Sequence, residues 1–174
     1  MPISLTPNKD ILGGEDDDLI KGKAGADHLD GAAGNDQIYG GDGTDTLYGG
    51  EDDDYLKGGK GDDILYGGDG MDTLHGSAGK DKLYAGAGDH VGGGKGADTF
   101  YFDEDLIGGT ATIGDFTLQD KIDFSDVSGL TIGRFSVVPG GWDIDLDLDG
   151  TADAHLQGIS ISPQEAYDTG VLIL

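Results

Sequence analysis

Aspartate recurs at every ninth residue along the first half of this chain, as Asp18, Asp27, Asp36, Asp45, Asp54, Asp63, Asp72 and Asp81. Short carboxylates at a fixed spacing are hard oxygen ligands, and the chemistry they serve is cation ligation. Each sits in the same setting. From Gly13 the chain divides into the blocks GGEDDDLIK, GKAGADHLD, GAAGNDQIY, GGDGTDTLY, GGEDDDYLK, GGKGDDILY, GGDGMDTLH and GSAGKDKLY, ending at Tyr84. Asp holds the sixth place of every block, and the eighth holds Ile20, Leu29, Ile38, Leu47, Leu56, Leu65, Leu74 and Leu83. A ninth block, AGAGDHVG from Ala85 to Gly92, is one residue short; GGKGADTFY, Gly93 to Tyr101, restores the pattern with Asp98 and Phe100.

The block itself says what positions the carboxylates. Its first four places are rich in Gly, which permits positive φ and close backbone approach, and its last three are strand-like with one apolar centre. A turn followed by a short strand results. With two blocks per coil the chain winds into a flattened solenoid, with a row of turns along each edge, a parallel sheet on each face and the eighth places pointing inward. Asp18 and Asp36 then lie on adjacent coils about 5 Å apart, the spacing of hydrogen-bonded strands. Their repulsion is roughly 3 kcal/mol per pair at an effective dielectric near 20. A divalent cation between them reverses the sign. Ca²⁺ suits the setting, because it accepts a flexible shell of hard oxygens that two Asp and Gly-rich turn carbonyls supply. Mg²⁺ wants a tighter octahedron, and Zn²⁺ looks for Cys or His that the turns lack.

Composition narrows the partners. Among 174 residues, 35 Gly and 35 acidic groups stand against 10 Lys plus Arg, for a net charge of −25. Nucleic acid and anionic membrane are poor partners for such a surface, and no nucleic-acid partner is expected. The acidic groups are 31 Asp and 4 Glu, a skew toward short arms held close to backbone turns. Cys is absent, which excludes disulfides, thiolate metal sites and cysteine nucleophiles. No apolar run reaches membrane-spanning length, and Met1 to Asp10 lacks the basic and apolar regions of a cleaved secretory signal.

The blocks resemble the GGxGxDxUx nonapeptides of the repeats-in-toxin (RTX) family, the haemolysin-type calcium-binding repeats of secreted bacterial proteases, lipases, cytolysins and alginate epimerases. The resemblance implies an all-β fold: a right-handed parallel β-roll with a C-terminal antiparallel β cap, like the C-terminal part of serralysin-type proteases and alginate epimerase R-modules. It implies calcium between turns of alternate blocks, pairing Asp18 with Asp36, Asp36 with Asp54 and Asp54 with Asp72 along one edge. Along the other edge it pairs Asp27 with Asp45, Asp45 with Asp63 and Asp63 with Asp81. About six sites follow, with one or two more near Asp81 and Asp98. The turn glycines Gly14, Gly25, Gly34, Gly41, Gly43, Gly50, Gly59, Gly61, Gly68, Gly70 and Gly79 complete the candidate ligand set through the backbone.

Some blocks depart from that pattern. Asp16 and Asp52 replace a fourth-place Gly, a position Asp tolerates because it visits left-handed geometry. Lys23, Ala32 and Ser77 replace a second-place Gly, which is expected to be milder. The contracted block around Asp89 and His90 is assigned no site, and His90 reads as a loop residue.

Ninth-place residues face outward, so Tyr48, Tyr66, Tyr84 and Tyr101 are expected to form a ladder up one sheet, with Lys21, Tyr39, Lys57 and His75 on the other. His28 and His75 read as outward strand residues. The expected organisation is a lead-in strand over 1–12, the roll over 13–101 and a strand cap over 102–174. From Thr99 the nonapeptide gives way to aromatic and β-branched alternation, which suits strands that close a solenoid's open end. This stretch also resembles the family, whose rolls end in DTFxF followed by DF…DxIDFS. Asp115, Asp120 and Asp123 fall in the matching places, either on a further cation or in turns. WDIDLDLDGTAD, Trp142 to Asp153, places Asp145, Asp147, Asp149, Gly150 and Asp153 at calcium-loop spacing, but the alternation of Ile144, Leu146 and Leu148 favours a strand entering an Asp-Gly hairpin. The final AYDTGVLIL reads as a terminal strand, and the resemblance implies that it also carries an uncleaved type I export signal.

No catalytic constellation is present: there is no H-E-x-x-H helix and no G-x-S-x-G elbow, and His28, His75, His90 and His155 are scattered. The chain reads as non-catalytic by itself, a secreted calcium-binding module that folds on extracellular Ca²⁺. Two alternatives stand beside it: the folding, substrate-holding and secretion part of a larger enzyme (protease, lipase or polysaccharide epimerase), or an extracellular polysaccharide-binding adhesin using the tyrosine ladder. The partners these readings imply are calcium ions, the type I export apparatus, and a polysaccharide or an upstream enzyme domain.

Overall fold

The structure, a computed structural model, describes residues 2–4, 10–102, 110–117, 119–123, 134–138, 141–145, 154–157 and 172–173, with side chains described in 10–102, 110–117 and 119–123. The first six strands are β1 (Pro2–Ser4), β2 (Asp10–Leu12), β3 (Leu19–Ala24), β4 (His28–Ala33), β5 (Gln37–Asp42) and β6 (Thr46–Glu51). There follow β7 (Tyr55–Lys60), β8 (Ile64–Asp69), β9 (Thr73–Ala78), β10 (Lys82–Ala85), β11 (His90–Lys95) and β12 (Thr99–Phe102). The remainder are β13 (Ala111–Ile113), β14 (Lys121–Asp123), β15 (Arg134–Val138), β16 (Gly141–Asp145), β17 (Ala154–Gln157) and β18 (Leu172–Ile173). Among the described residues there is no helix.

Odd strands from β1 to β13 stack in one sheet and even strands from β2 to β14 in the other, so each coil contributes one strand to each face. Leu19 pairs with Gln37 and Gln37 with Tyr55, while Thr46 pairs with Ile64; the register is the 18 residues of two blocks. This is a parallel β-solenoid, and its core follows from that register. Ile20, Ile38, Leu56, Leu74, Val91 and Ile113 form one inward column, and Leu29, Leu47, Leu65, Leu83, Phe100 and Ile122 the facing one. All twelve are buried. The columns and the parallel pairing continue past residue 101 through β13 and β14, where Phe116 closes over Phe100 with ring centroids 5.9 Å apart.

Beyond them β15, β16 and β17 form an antiparallel meander that returns to the roll by parallel pairing of β17 with β13, while β18 pairs parallel with β14. The antiparallel pairing of β16 with β17 is what a hairpin between them requires. Asp147, Asp149, Gly150 and Asp153 lie outside the described residues, as do Val171 and Leu174.

His90 corrects the sequence reading. It opens strand β11, exposed, opposite Thr73 and Thr112, and is not in a loop. The missing residue is taken out of the turn at 86–88, so the strand resumes in register.

The outward columns are as the register requires. Tyr48, Tyr66, Tyr84 and Tyr101 stack with centroids 4.7, 4.4 and 4.4 Å apart and interplanar angles of 2°, 16° and 9°. His28 tilts against Tyr48 at 5.1 Å. On the other face the Lys21 ammonium lies 5.3 Å from the Tyr39 ring centre, and Tyr55 bridges Tyr39 and His75. Tyr55 comes from the seventh place, a second outward column.

Candidate metal centres

Each sixth-place Asp sits where a turn enters a strand, and the coil spacing brings its side chain to the backbone of the coil before. Asp36 accepts the N–H of Asp18 at 2.7 Å, Asp54 that of Asp36 at 2.8 Å and Asp72 that of Asp54 at 2.8 Å. The other edge repeats this: Asp45 accepts from Asp27 at 2.9 Å, Asp63 from Asp45 at 2.8 Å, Asp81 from Asp63 at 2.9 Å and Asp98 from Asp81 at 2.9 Å. Asp27, Asp36, Asp45, Asp54, Asp63, Asp72, Asp81 and Asp98 are all buried.

Only one oxygen of each carboxylate is used this way. The Oδ2 atoms of Asp36, Asp45, Asp54, Asp63, Asp72, Asp81 and Asp98 are buried with no hydrogen-bond partner. Leaving an ionised oxygen so costs on the order of 1–3 kcal/mol or more. Burial therefore pushes the carboxyls of Asp54 and Asp63 up to about 7 and that of Asp81 up to about 6, against the pull of the N–H each accepts; neighbouring carboxylates add to the rise. Asp36, Asp45, Asp72 and Asp98 are raised for the same first reason.

The first-place glycines border these oxygens. A Cβ on Gly40 would run into Asp45 Oδ2 and stand 2.7 Å from the Gly58 carbonyl; one on Gly31 would meet Asp36 Oδ2 and the Gly49 carbonyl at 2.6 Å. Carboxylate and peptide oxygens converge on the space a side chain would fill. Sequence reasoning singled out second- and fourth-place glycines and passed over Gly22, Gly31, Gly40, Gly49, Gly58, Gly67 and Gly76, although the first place is Gly in all nine full-length blocks. Among the described residues no group of three or more His, Asp or Glu side chains converges. A cation here would draw on carboxylates from successive coils and on turn carbonyls, an all-oxygen donor set that fits Ca²⁺.

The predicted turn glycines lie along the same edges. A Cβ on Gly43, Gly61 or Gly79 would run into the fourth-place carbonyl of the coil before, and one on Gly41, Gly50, Gly59 or Gly68 into the second-place one. Gly34 lies over the backbone of Asp16 and Asp17, and Gly70 over the carbonyl of Asp52, which adopts φ 77° in its place. The second place runs left-handed from Lys23 through Gly68 and in Ser77, with φ of 89° at Lys23, 81° at Ala32 and 88° at Ser77. Those three substitutions are thus strained, not mild, because a Cβ opposes this backbone geometry.

Gly14 and Gly86 are second-place residues outside the left-handed region. Both donate to their own turn's carboxylate: Gly14 N–H to Asp18 Oδ2 at 3.1 Å, Gly86 N–H to Asp89 Oδ2 at 2.8 Å.

Asp89, which the sequence left unassigned, takes the sixth-place position, accepting the N–H of Asp72 at 2.8 Å. Asp120 continues the other edge, accepting from Asp98 at 2.9 Å and from Thr117. Asp115 accepts from Gly93 and Gly94 of β11, on the coil before, at 3.0 and 2.9 Å, and Asp123 lies in β14 opposite Tyr101.

A fifth-place row lies outside this one. Asp17, Asp53 and Asp62 accept the N–H of Asn35, Met71 and Lys80 on the following coil.

Comparison with known proteins follows the same residues. The model of the RTX calcium-binding nonapeptide repeat matches in four copies, over residues 12–47, 39–70, 48–81 and 66–100. No curated protein matches the chain. Among solved structures, the AlgE6R3 subunit of the Azotobacter vinelandii mannuronan C5-epimerase is similar at 34% identity and TM-score 0.49, over 62% of this chain and 72% of that one. The extracellular lipase LipA from Serratia marcescens is similar at 18% identity and TM-score 0.37, over 99% of this chain and 40% of the lipase. RTX repeats bind calcium, and with the repeat model matching more than half its length, this chain belongs to the RTX calcium-binding nonapeptide repeat family.

Proposed function

We propose that this chain is a non-catalytic module whose chemistry is calcium ligation coupled to its own folding. The observation that carries the reading is the set of buried Oδ2 atoms without a donor at Asp36, Asp45, Asp54, Asp63, Asp72, Asp81 and Asp98. A folded, metal-free roll must bury these charges unpaired or protonate them; an ion between successive coils removes both penalties. The same residues therefore repel one another where free calcium is scarce and hold the coils together where it is millimolar. Such a chain stays threadable inside a cell and folds outside, which is the secreted, type I exported life the family resemblance implies. The roll over 13–101 is the calcium-binding part in this reading, with 102–174 as its cap.

Circular dichroism in chelator and in millimolar calcium tests the coupling. The expected result is loss of β signal in chelator at pH 8 and its return with calcium; the same spectrum in both conditions defeats it.

The adhesin alternative finds less support. A sugar ring stacks on an exposed aromatic face, and both faces of Tyr66 and Tyr84 are covered by their neighbours. A groove of about 440 Å³ runs beside Tyr66, Tyr84 and Tyr101. The ladder is best read as cross-strand support for the sheet.

A further inference from the structure

Two of the buried sixth-place carboxylates differ from the rest. At Asp89 both oxygens are taken, one by the N–H of Asp72 on the preceding coil and the other by the N–H of Gly86 in its own turn, each at 2.8 Å. At Asp120 the N–H of Asp98 and that of Thr117 do the same. In both, the own-turn donor sits three residues before the carboxylate. In a full-length block the second and sixth places are four residues apart. From Asp36 to Asp81 every second-place residue is also left-handed, and no donor reaches Oδ2. The one-residue contraction between Ala85 and Gly92 thus changes what the turn offers its carboxylate.

We propose that Asp89 and Asp120 are cation-free stops that end the calcium rows on the two edges, with a peptide N–H standing where the other turns require an ion. A peptide N–H carries the positive end of a dipole, and two of them satisfy a carboxylate that a cation would otherwise have to neutralise. Both oxygens of Asp89 and of Asp120 are engaged, so an ion reaches either carboxylate only by breaking those bonds. Asp18 makes a similar contact with Gly14 but is only half-buried. The inference rests on reading the open carboxylates as calcium ligands. It deepens that reading by saying where the ligation stops and why.

Native mass spectrometry of the whole chain in saturating calcium tests it on four variants: Asp63→Asn, Asp89→Asn, Asp120→Asn, and an insertion of Gly between Ala87 and Gly88 that restores nine residues. Asp63→Asn is expected to lose at least one ion. Asp89→Asn and Asp120→Asn keep the parent's count, and the insertion gains one. Loss of an ion from Asp89→Asn or Asp120→Asn overturns the proposal, as does an insertion variant that folds and gains none. A parent that holds no calcium at all defeats the ligation reading itself, and the stops fall with it.

Discussion

The carboxylate of Asp63 accepts the backbone N–H of Asp45 at 2.8 Å, across one coil and 18 residues, and its second oxygen is buried without a donor. The first bond fixes the carboxylate in register; the second oxygen makes that register unfavourable until something positive arrives. The same side chain therefore opposes folding without metal and favours it with metal, and the sign can be read from one substitution.

Asp63→Asn keeps an oxygen for the Asp45 N–H and removes the buried charge. In chelator at pH 8 the variant is expected to be more stable than the parent, by about 1–3 kcal/mol. In saturating calcium the order reverses. Urea melts measure the difference in calcium, and the concentration of a stabilising osmolyte needed to restore the β signal measures it in chelator; a change of the same sign in each would show that the charge is not what couples metal to folding.

Protons and calcium compete for the same carboxylates. With folded-state values pushed up to about 7 at Asp54 and Asp63 and about 6 at Asp81, against 3.8 ordinarily, the metal-free fold binds protons that the unfolded chain has released. Its stability is fully present below about pH 4 and is lost as pH rises through about 7. Thermal melts in chelator are expected to show a more stable roll at pH 5 than at pH 8, and calcium to rescue most at pH 8. A metal-free roll more stable at pH 8 would contradict the burial of these groups.

Much of this was legible from letters alone. A strict period of nine fixes two blocks per coil, and from that the inward columns of Leu29 and Ile38, the Asp rows and the ladder from Tyr48 to Tyr101 follow without coordinates. What escaped was anything decided by backbone direction. The strain at Lys23 and Ala32 is a matter of φ, and the pairing of Gly86 with Asp89 depends on where one N–H points. Asp120 lies 22 residues beyond Asp98, outside the period, and comes into view only through the family resemblance of the closing stretch.

The strain at the second place predicts a gain. Lys23→Gly and Ala32→Gly each relieve a side chain held at positive φ, worth about 1–2 kcal/mol, and each loosens the unfolded chain by about 0.4–1 kcal/mol. Relief exceeds the loss, so each variant should be more stable by about 0.5–1 kcal/mol in saturating calcium. Destabilisation in denaturant melts would mean that the neighbouring coil, not φ, sets these residues.

Two glycines from different blocks, Gly40 in the first place and Gly86 in the second, separate sterics from conformation. A Cβ on Gly40 collides with Asp45 Oδ2 and the Gly58 carbonyl, whereas one on Gly86 finds nothing nearer than the Gly68 carbonyl at 4.0 Å, and Gly86 is not left-handed. Gly40→Ala is expected to destabilise the calcium-loaded roll by about 1–3 kcal/mol, the range for overpacking a close contact. It should also weaken calcium binding, because the intruding methyl displaces the oxygens that converge there. Gly86→Ala keeps its N–H to Asp89 and should change stability by less than about 0.5 kcal/mol. Calcium titration calorimetry and denaturant melts on both variants compare them. Equal losses would mean that the first-place glycines serve the fold as a whole, and the cradle between Asp45 and Gly58 would lose its claim to the metal.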